Sequence, residues 1–406
     1  MNSQGKVVLL LVLPFLFLKT TSFCQENTKS GTDSGFIDAE FLTGRVVPNY
    51  GAFPRTKPVK SFSLNIGTLH ENPGKAYASY YNHPMTGISV YYSNPGNNNV
   101  FGREVGVKPF FMFNPVKSLK NPFYFKFSLG LSYFTEYYGK TGNSENKAVG
   151  SPFTWNFQAF LYKSWNINQA LRINLGAGYL HSSNGHIQLP NAGLNKAMFS
   201  ISATRFFKRN SENVSIHPDN SKNNKNRFFY NLRNGLGIHE LGNAFGPTGG
   251  PKKGVFSLAL SGGVIFNNHI KLRSGLTYRF YEHYYDYIIT EEIPGYSDKP
   301  FVNATNLNFF IGCEFLVGHF GLDVEGGLNM YKPFYNEFFQ RFQSGGHFKY
   351  ILKNYFSSRL GLNLYLYNTH ERPKNNFFIG ANINANFGQA DFSELSVGYT
   401  RLLNKE

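Results

Sequence analysis

The sequence predicts an all-β fold: a transmembrane, antiparallel, up-and-down β-barrel. Three observations carry this expectation. After residue 24 no stretch offers the ~20 consecutive apolar residues that a membrane-crossing helix needs. Phe and Tyr are nonetheless abundant, 42 and 26 in a chain of 406, beside 41 Gly and a mean hydropathy of −0.32. Many segments alternate apolar and polar residues over the ~9–11 positions of a tilted spanning strand. A barrel wall in lipid needs this combination: apolar side chains outward, polar ones inward, and aromatic girdles where the wall meets water. A soluble secreted β-sandwich fits less well, because its strands average only ~5–6 residues and need no such aromatic excess.

Residues 1–24 read as a secretory signal peptide. Lys6 supplies a short basic region, Val7 to Leu18 an apolar core too short to span a bilayer, and Ser22 and Cys24 the small residues of a cleavage site. Cleavage would leave Cys313 as the sole cysteine, so no internal disulfide is expected. Residues 25–40, opening Gln-Glu-Asn-Thr-Lys-Ser-Gly, read as a disordered mature N-terminus, and 41–406 as the barrel.

Strand candidates follow at 59–69, 85–93, 103–114, 122–138, 152–165, 169–183, 194–207, 226–239, 254–267, 269–283, 304–318, 320–332, 354–368, 375–387 and 391–404, with 42–50 as a further one. We expect about 14 strands in one barrel, within 12–16, and an even number as in bacterial barrels. The competing architecture breaks the chain at 208–225: a compact eight-stranded barrel ending near residue 207, then a second barrel. The single barrel is preferred because the second part carries no separate closure signal.

Loop lengths set the orientation. Such barrels have short periplasmic turns and long extracellular loops. Connections are short at Asn166–Asn168, Asn267–Asn268 and Gly318–His319, and long at 139–151, 284–303 and 333–353. Strand 169–183 follows a short turn and so rises toward the outside. On this alternation the long segment 208–225 falls on the periplasmic side, where it fits poorly.

One stretch stands apart: Tyr179-Leu-His-Ser-Ser-Asn-Gly-His-Ile-Gln-Leu-Pro-Asn-Ala-Gly-Leu-Asn195. Residues two apart in a strand share a face. His181 and Ser183 therefore share the face of Leu171, Ile173, Leu175, Ala177 and Tyr179. In the returning strand Asn195 shares a face with Ala197, Phe199, Ile201 and Ala203. A nucleophile and a base on an apolar outer face, at the outer end of a strand, suit a lipid substrate.

His-x-Ser-Asn, a short loop with Pro-Asn, then Gly and an apolar strand resembles the active-site hairpin of the PagL-type lipid A 3-O-deacylases over about residues 176–207. The longer form, Ser-Asn-Gly-His with Leu-Pro-Asn-x-Gly-Leu-Asn, is similar to the acyloxyacyl hydrolase group of Bacteroidetes-type bacteria. The resemblance implies an outer-membrane β-barrel esterase, with lipid A or lipopolysaccharide as substrate and no cofactor. It implies His181 as base and Ser183 as nucleophile, with Asn184 and Asn191 serving oxyanion binding or loop shaping. The family's third member is a Glu, and it falls on Asn195 here.

The residues suit ester cleavage. Ser is a poor nucleophile until a neighbouring base takes its proton, and a neutral imidazole can do so. Same-face Cβ atoms at this spacing lie ~6.6–7 Å apart, within reach of a hydrogen bond between the side chains. The Asn184 side chain and the amides around Asn184-Gly185 are the expected oxyanion donors, since Gly allows an unusual backbone angle. Asn195 can orient the imidazole but cannot stabilise the imidazolium as a carboxylate does. A carboxylate partner would have to come from further away, with Glu136 and Glu145 as candidates. The alternative is a non-catalytic barrel, a pore or a structural protein, in which the motif has decayed.

Other motifs point nowhere else. His70, His83, His217, His239 and His319 lack ligand spacing, so no metal site is expected. His239-Glu240 lacks the second His of a zincin helix, and Gly246-Pro-Thr-Gly-Gly250 lacks the Lys of a phosphate loop. His186 reads as a solvated loop residue. The net charge of +16 would ordinarily suggest nucleic acid, but an exported barrel rarely meets it. Basic loops facing anionic lipid headgroups, or simply neutralising an anionic leaflet, account for it equally well. Such a barrel is also compatible with a homodimer.

Overall fold

A computed structural model describes residues 33–72, 76–115, 122–207, 226–343 and 345–403. The signal peptide expected at 1–24 lies outside these residues. The first eight strands are β1 (Ser34–Val47), β2 (Val59–Leu69), β3 (Met85–Asn94), β4 (Glu104–Phe113), β5 (Phe123–Phe134), β6 (Phe153–Asn166), β7 (Leu171–Ser183) and β8 (Leu194–Phe207). The next eight are β9 (Arg227–Glu240), β10 (Lys252–Phe266), β11 (Ile270–Tyr281), β12 (Thr305–Val317), β13 (Phe320–Tyr331), β14 (Phe356–Tyr365), β15 (Asn375–Asn386) and β16 (Gln389–Leu402). A short helix α1 (Ala76–Tyr80) follows β2. Helices α2 (Glu282–Thr290), α3 (Pro300–Asn303), α4 (Tyr335–Phe342) and α5 (His347–Tyr355) occupy two of the long loops of the second half.

These strands form two closed antiparallel barrels, β1–β8 and β9–β16. The single barrel of about 14 strands is therefore corrected to two barrels of eight. Strand alternation identifies strands, but closure depends on which distant strands pair. Here Gly35–Val47 of β1 pairs with Asn195–Phe207 of β8, and β9 pairs with β16 from Ile238↔Ser393 to Phe229↔Leu402. Strand β1 begins inside the segment expected to be disordered. Its Asp38 and Glu40 look like solvent residues in the sequence, yet both are buried in the barrel interior. Two barrels also explain the misfit at 208–225: this segment joins the end of one barrel to the start of the next.

Each wall follows the period-2 rule. Outward residues such as Phe199 (70% exposed) and Ile201 alternate with inward ones such as Lys196 and Met198. An eight-stranded barrel is just wide enough for its own side chains to fill it, and here they do. In the first barrel, Glu104 accepts hydrogen bonds from Asn156 Nδ2 and Ser182 Oγ, both at 2.7 Å, and pairs with Lys196. Glu40 pairs with Lys126 at 3.2 Å and accepts from Tyr162 at 2.6 Å. In the second, Arg273 contacts Asp323 at 2.6 Å and Glu325 at 2.7 Å, while Arg359 bridges Asp323 and Glu394. Lys126, Lys196, Arg273 and Arg359 are thus paired inside the walls, each with an acidic partner, so the net excess of basic charge rests on other residues. Removing one member of such a buried pair should cost about 3–5 kcal/mol, because its partner is left charged and unpaired.

The closure can be tested by cross-linking. Ala39 and Ala203 are directly paired across β1 and β8, and antiparallel pairs stand ~4.5–5.5 Å apart at Cα, within disulfide range. In a Cys313→Ser background, the pair Ala39→Cys and Ala203→Cys should oxidise to a single intramolecular cross-link, seen as a mobility shift that reductant reverses. No cross-link would mean that β1 and β8 are not neighbours.

Candidate functional site

The β7–β8 hairpin sets the site by register. Tyr179 pairs with Ala197, and His181 pairs directly with Asn195. Alternation along β7 turns Leu175, Tyr179 and His181 to the outer wall, and Arg172, Asn174, Leu180 and Ser182 to the interior. Asn195 stands on the outer face of β8 beside His181. Its Oδ1 accepts two hydrogen bonds at 2.6 Å, one from the Tyr179 hydroxyl and one from His181 Nδ1. The Tyr179 and His181 rings run nearly parallel, 11° apart. Accepting from Nδ1 leaves the Nε2 lone pair of His181 free.

Gly193 packs flat on the imidazole. It adopts φ +79°, and a Cβ there would come within 2.5 Å of His181 Cε1. Both the left-handed backbone and the close approach require glycine.

Ser183 closes β7 opposite Trp155 of β6, and is 5% exposed. Among the described residues, no hydrogen bond joins it to His181. The loop after it is held by its own asparagines. Asn184 N–H donates to Asn191 Oδ1 at 2.9 Å, and Asn184 Nδ2 donates to Gln188 O at 2.7 Å and Ser151 Oγ at 3.1 Å. Asn184 Oδ1 in turn accepts from His186 N–H. Both protons of the Asn184 amide are thus engaged in shaping the loop. Gly185, at φ +64°, has an amide with no acceptor among the described residues. Among the described residues, no hydrogen bond or ion pair joins Glu136 or Glu145 to His181, whose hydrogen-bond partner is Asn195; Glu145 accepts at its backbone carbonyl from Tyr50.

The loop is held from both sides. From the first barrel, Asn49 Nδ2 donates to Ala192 O and Gly193 O, and the Gly193 amide donates to Ala148 O. From the second barrel, Glu240 Oε2 accepts from Leu189 N–H at 2.8 Å, and the Glu240 amide donates to His186 O at 3.2 Å. Ser393 Oγ accepts from Trp155 Nε1 at 2.9 Å and lies 3.3 Å from Asn184 O.

His186 is not a solvated loop residue. It is buried and stacks on His239 of β9, with ring centroids 5.0 Å apart. Burial, then the neighbouring His239, push its pKa down to about 3. Sequence reasoning missed Tyr179, Glu240 and Ser393. Alternation did place Tyr179 on the face of His181, which was a usable signal. Nothing local marks the other two. Among the described residues, no three His, Cys, Asp or Glu side chains gather to hold a metal ion.

Taken together, two closed antiparallel barrels with apolar side chains on their outer faces and polar ones inside define the class: a bacterial outer-membrane β-barrel protein. Residues 66–204, from β2 through β8, match the family model described as lipid A 3-O-deacylase (PagL), so the first barrel is similar to that family over most of its length. The match covers about a third of the chain and includes His181, Ser183 and Asn195. No curated protein matches the chain. Solved structures that resemble it include Acinetobacter baumannii OccAB1, at 9% identity over 91% of this chain and 96% of that one, with a TM-score of 0.22. Another is Pseudomonas aeruginosa OccK10 (OpdN), at 11% identity over 91% and 99%, with a TM-score of 0.20. The COG4313 outer membrane channel from Pseudomonas putida F1 follows at 8% identity over 93% and 97%, with a TM-score of 0.17.

The buried His186 gives a pH test of loop docking. Its pKa falls from an ordinary 6.5 to about 3 in the folded protein, so between those values the unfolded state binds more protons than the native one. Stability contributed by docked, neutral His186 is therefore present above pH 6.5 and is lost as the pH falls towards about 3. His186→Phe keeps a ring on His239 and removes the proton site. The wild type should lose melting temperature faster than His186→Phe below pH 6.5; parallel curves would contradict the assignment.

Proposed function

We propose that this protein is an outer-membrane ester hydrolase that removes an acyl chain from lipid A, working by a Ser-His mechanism on the lipid-facing wall of the first barrel. The observation that carries this reading is the doubly bonded Asn195 Oδ1, which holds His181 with Nδ1–H toward the amide and so leaves Nε2 as the basic nitrogen. His181 Nε2 takes the proton of Ser183 Oγ as that oxygen attacks the ester carbonyl. The alcohol then leaves with the proton, and water repeats the sequence on the acyl-enzyme to release a free fatty acid. Catalytic hydrogen bonds are often long before substrate binds and tighten in the complex, so the absent Ser183–His181 bond is compatible with this role. The free amide of Gly185 is the remaining oxyanion donor, since the Asn184 side chain is committed to the loop.

Tyr179 takes a part in this reading. A reversed Asn195 amide would donate to Nδ1 and force the proton onto Nε2, and His181 would then be no base. The Tyr179 hydroxyl donates to the same oxygen, so turning the amide would require this hydroxyl to reverse its role as well. What Asn195 lacks is charge, so the imidazolium is less stabilised than beside a carboxylate.

The competing reading is a non-catalytic barrel, and the uncharged Asn195 is the observation in its favour. The filled interiors of both barrels count against a pore.

Mass spectrometry of lipid A from cells producing the protein tests the activity. Wild type should remove one hydroxyacyl mass, and Ser183→Ala should remove none. An unchanged lipid A profile from correctly folded wild type would defeat the proposal. A second set of variants tests the orienter on purified protein. Tyr179→Phe and Asn195→Ala should each lower kcat by roughly 10-fold or more with little change in KM, while Asn195→Glu should raise it. If Tyr179→Phe leaves kcat intact, Tyr179 does not set the amide.

A further inference from the structure

The second barrel lies outside the PagL match, yet it meets the candidate active-site loop at several points. Several of these are polar and specific. Glu240, the last residue of β9, is 1% exposed and divides its carboxylate between two backbone amides. Oε2 accepts from Leu189 in the loop, and Oε1 accepts from Gly250 in its own barrel, each at 2.8 Å. Ser393 of β16 accepts from the Trp155 indole at 2.9 Å, and its hydroxyl lies 3.3 and 3.4 Å from the carbonyls of Asn184 and Gly185. The Asn191 amide donates to Ala244 O at 2.7 Å.

These contacts fall on the reacting region. Trp155 is the cross-strand neighbour of Ser183, and Asn184 and Gly185 follow it directly. Gly185 also fits only as glycine, because a Cβ there would stand 2.1 Å from Ser393 Oγ. The fit between the barrels therefore runs through Gly185, two residues after Ser183. A carboxylate that accepts two backbone amides, and a hydroxyl that ties an indole to two carbonyls, leave this loop little freedom.

We propose that the second barrel is a positioning domain for ester cleavage, and that Glu240 and Ser393 are its positioning residues. They touch no substrate. They fix the backbone of Asn184–Leu189 and the Trp155 ring, and through them the Ser183 hydroxyl and the Gly185 amide. A displacement of ~1 Å at a reacting group can cost ~100-fold in rate, so such bracing acts on kcat. This inference rests on the esterase reading for its effect on rate, but its effect on the loop can be measured without it.

The experiment uses the full-length protein in detergent micelles, with Glu240→Ala and Ser393→Ala made singly and together. Hydrogen exchange of the 184–192 segment reads the loop directly, and should accelerate at least 10-fold in the double variant. In a Trp165→Phe background, which leaves Trp155 as the sole Trp, Ser393→Ala should shift the indole emission. Glu240→Gln, which keeps one acceptor oxygen, should fall between wild type and Glu240→Ala. On lipid A, kcat should drop about 10-fold to 100-fold in the double variant with KM within 2-fold. Unchanged exchange would overturn the proposal whatever the activity. Faster exchange with kcat unchanged or raised would also overturn it, a rise meaning that the second barrel shuts the site instead of ordering it. If wild type shows no Ser183-dependent cleavage, the esterase reading falls and the rate claim with it, while the exchange result still decides whether the second barrel orders the loop.

Discussion

The ladder between β1 and β8 is the contact on which the rest depends. In a bilayer every backbone amide and carbonyl must find a partner within the protein, and an open sheet edge leaves a row of them unmet at several kcal/mol each. Pairing Gly35–Val47 with Asn195–Phe207 removes both edges of the first sheet. The same ladder fixes Asn195 between Val47 on one side and His181 on the other. The orientation of the imidazole is therefore inherited from closure: a slip of one residue along β8 would turn Asn195 into the barrel and bring Lys196 or Leu194 to its place on the wall.

Closing at eight strands dictates what lies inside. The interior is too narrow for a channel and too polar, on this sequence, for an oily core. Carboxylates and basic groups therefore meet there in pairs, as Glu104 with Lys196 and Glu325 with Arg233, Arg273 and Arg359. These networks fix the register of their strands because each charge is tolerable only opposite its partner. The outer wall instead carries the hydrogen-bonded cluster of Tyr179, His181 and Asn195 beside apolar neighbours.

The strands were largely legible in the sequence because alternation is a local signal. Strand β2 was expected at 59–69 and β8 at 194–207, and both appear at those bounds. Strand β1 was legible only in part, since Asp38 and Glu40 carry the composition of solvent residues and reveal their burial only through Lys126, Asn65 and Thr204 on other strands. The number of barrels was legible only as the competing architecture broken at 208–225, for pairing between residues 35 and 207 leaves no mark on either segment to favour it. The site divides in the same way. Tyr179, His181 and Asn195 could be assigned to outer faces from spacing alone, but their shared oxygen needed the register of β7 on β8. Glu240 and Ser393 act across barrels and have no local signature.

The bond from Trp155 to Ser393 spans 238 positions of sequence. Contacts so remote are among the slowest to form, because the intervening chain must first be gathered. The first barrel can close on contacts within residues 34–207, before β16 is in place. Its loop then waits for a strand near the far end of the chain. On this ordering the wall of the first barrel would be complete before its hairpin is braced from the second.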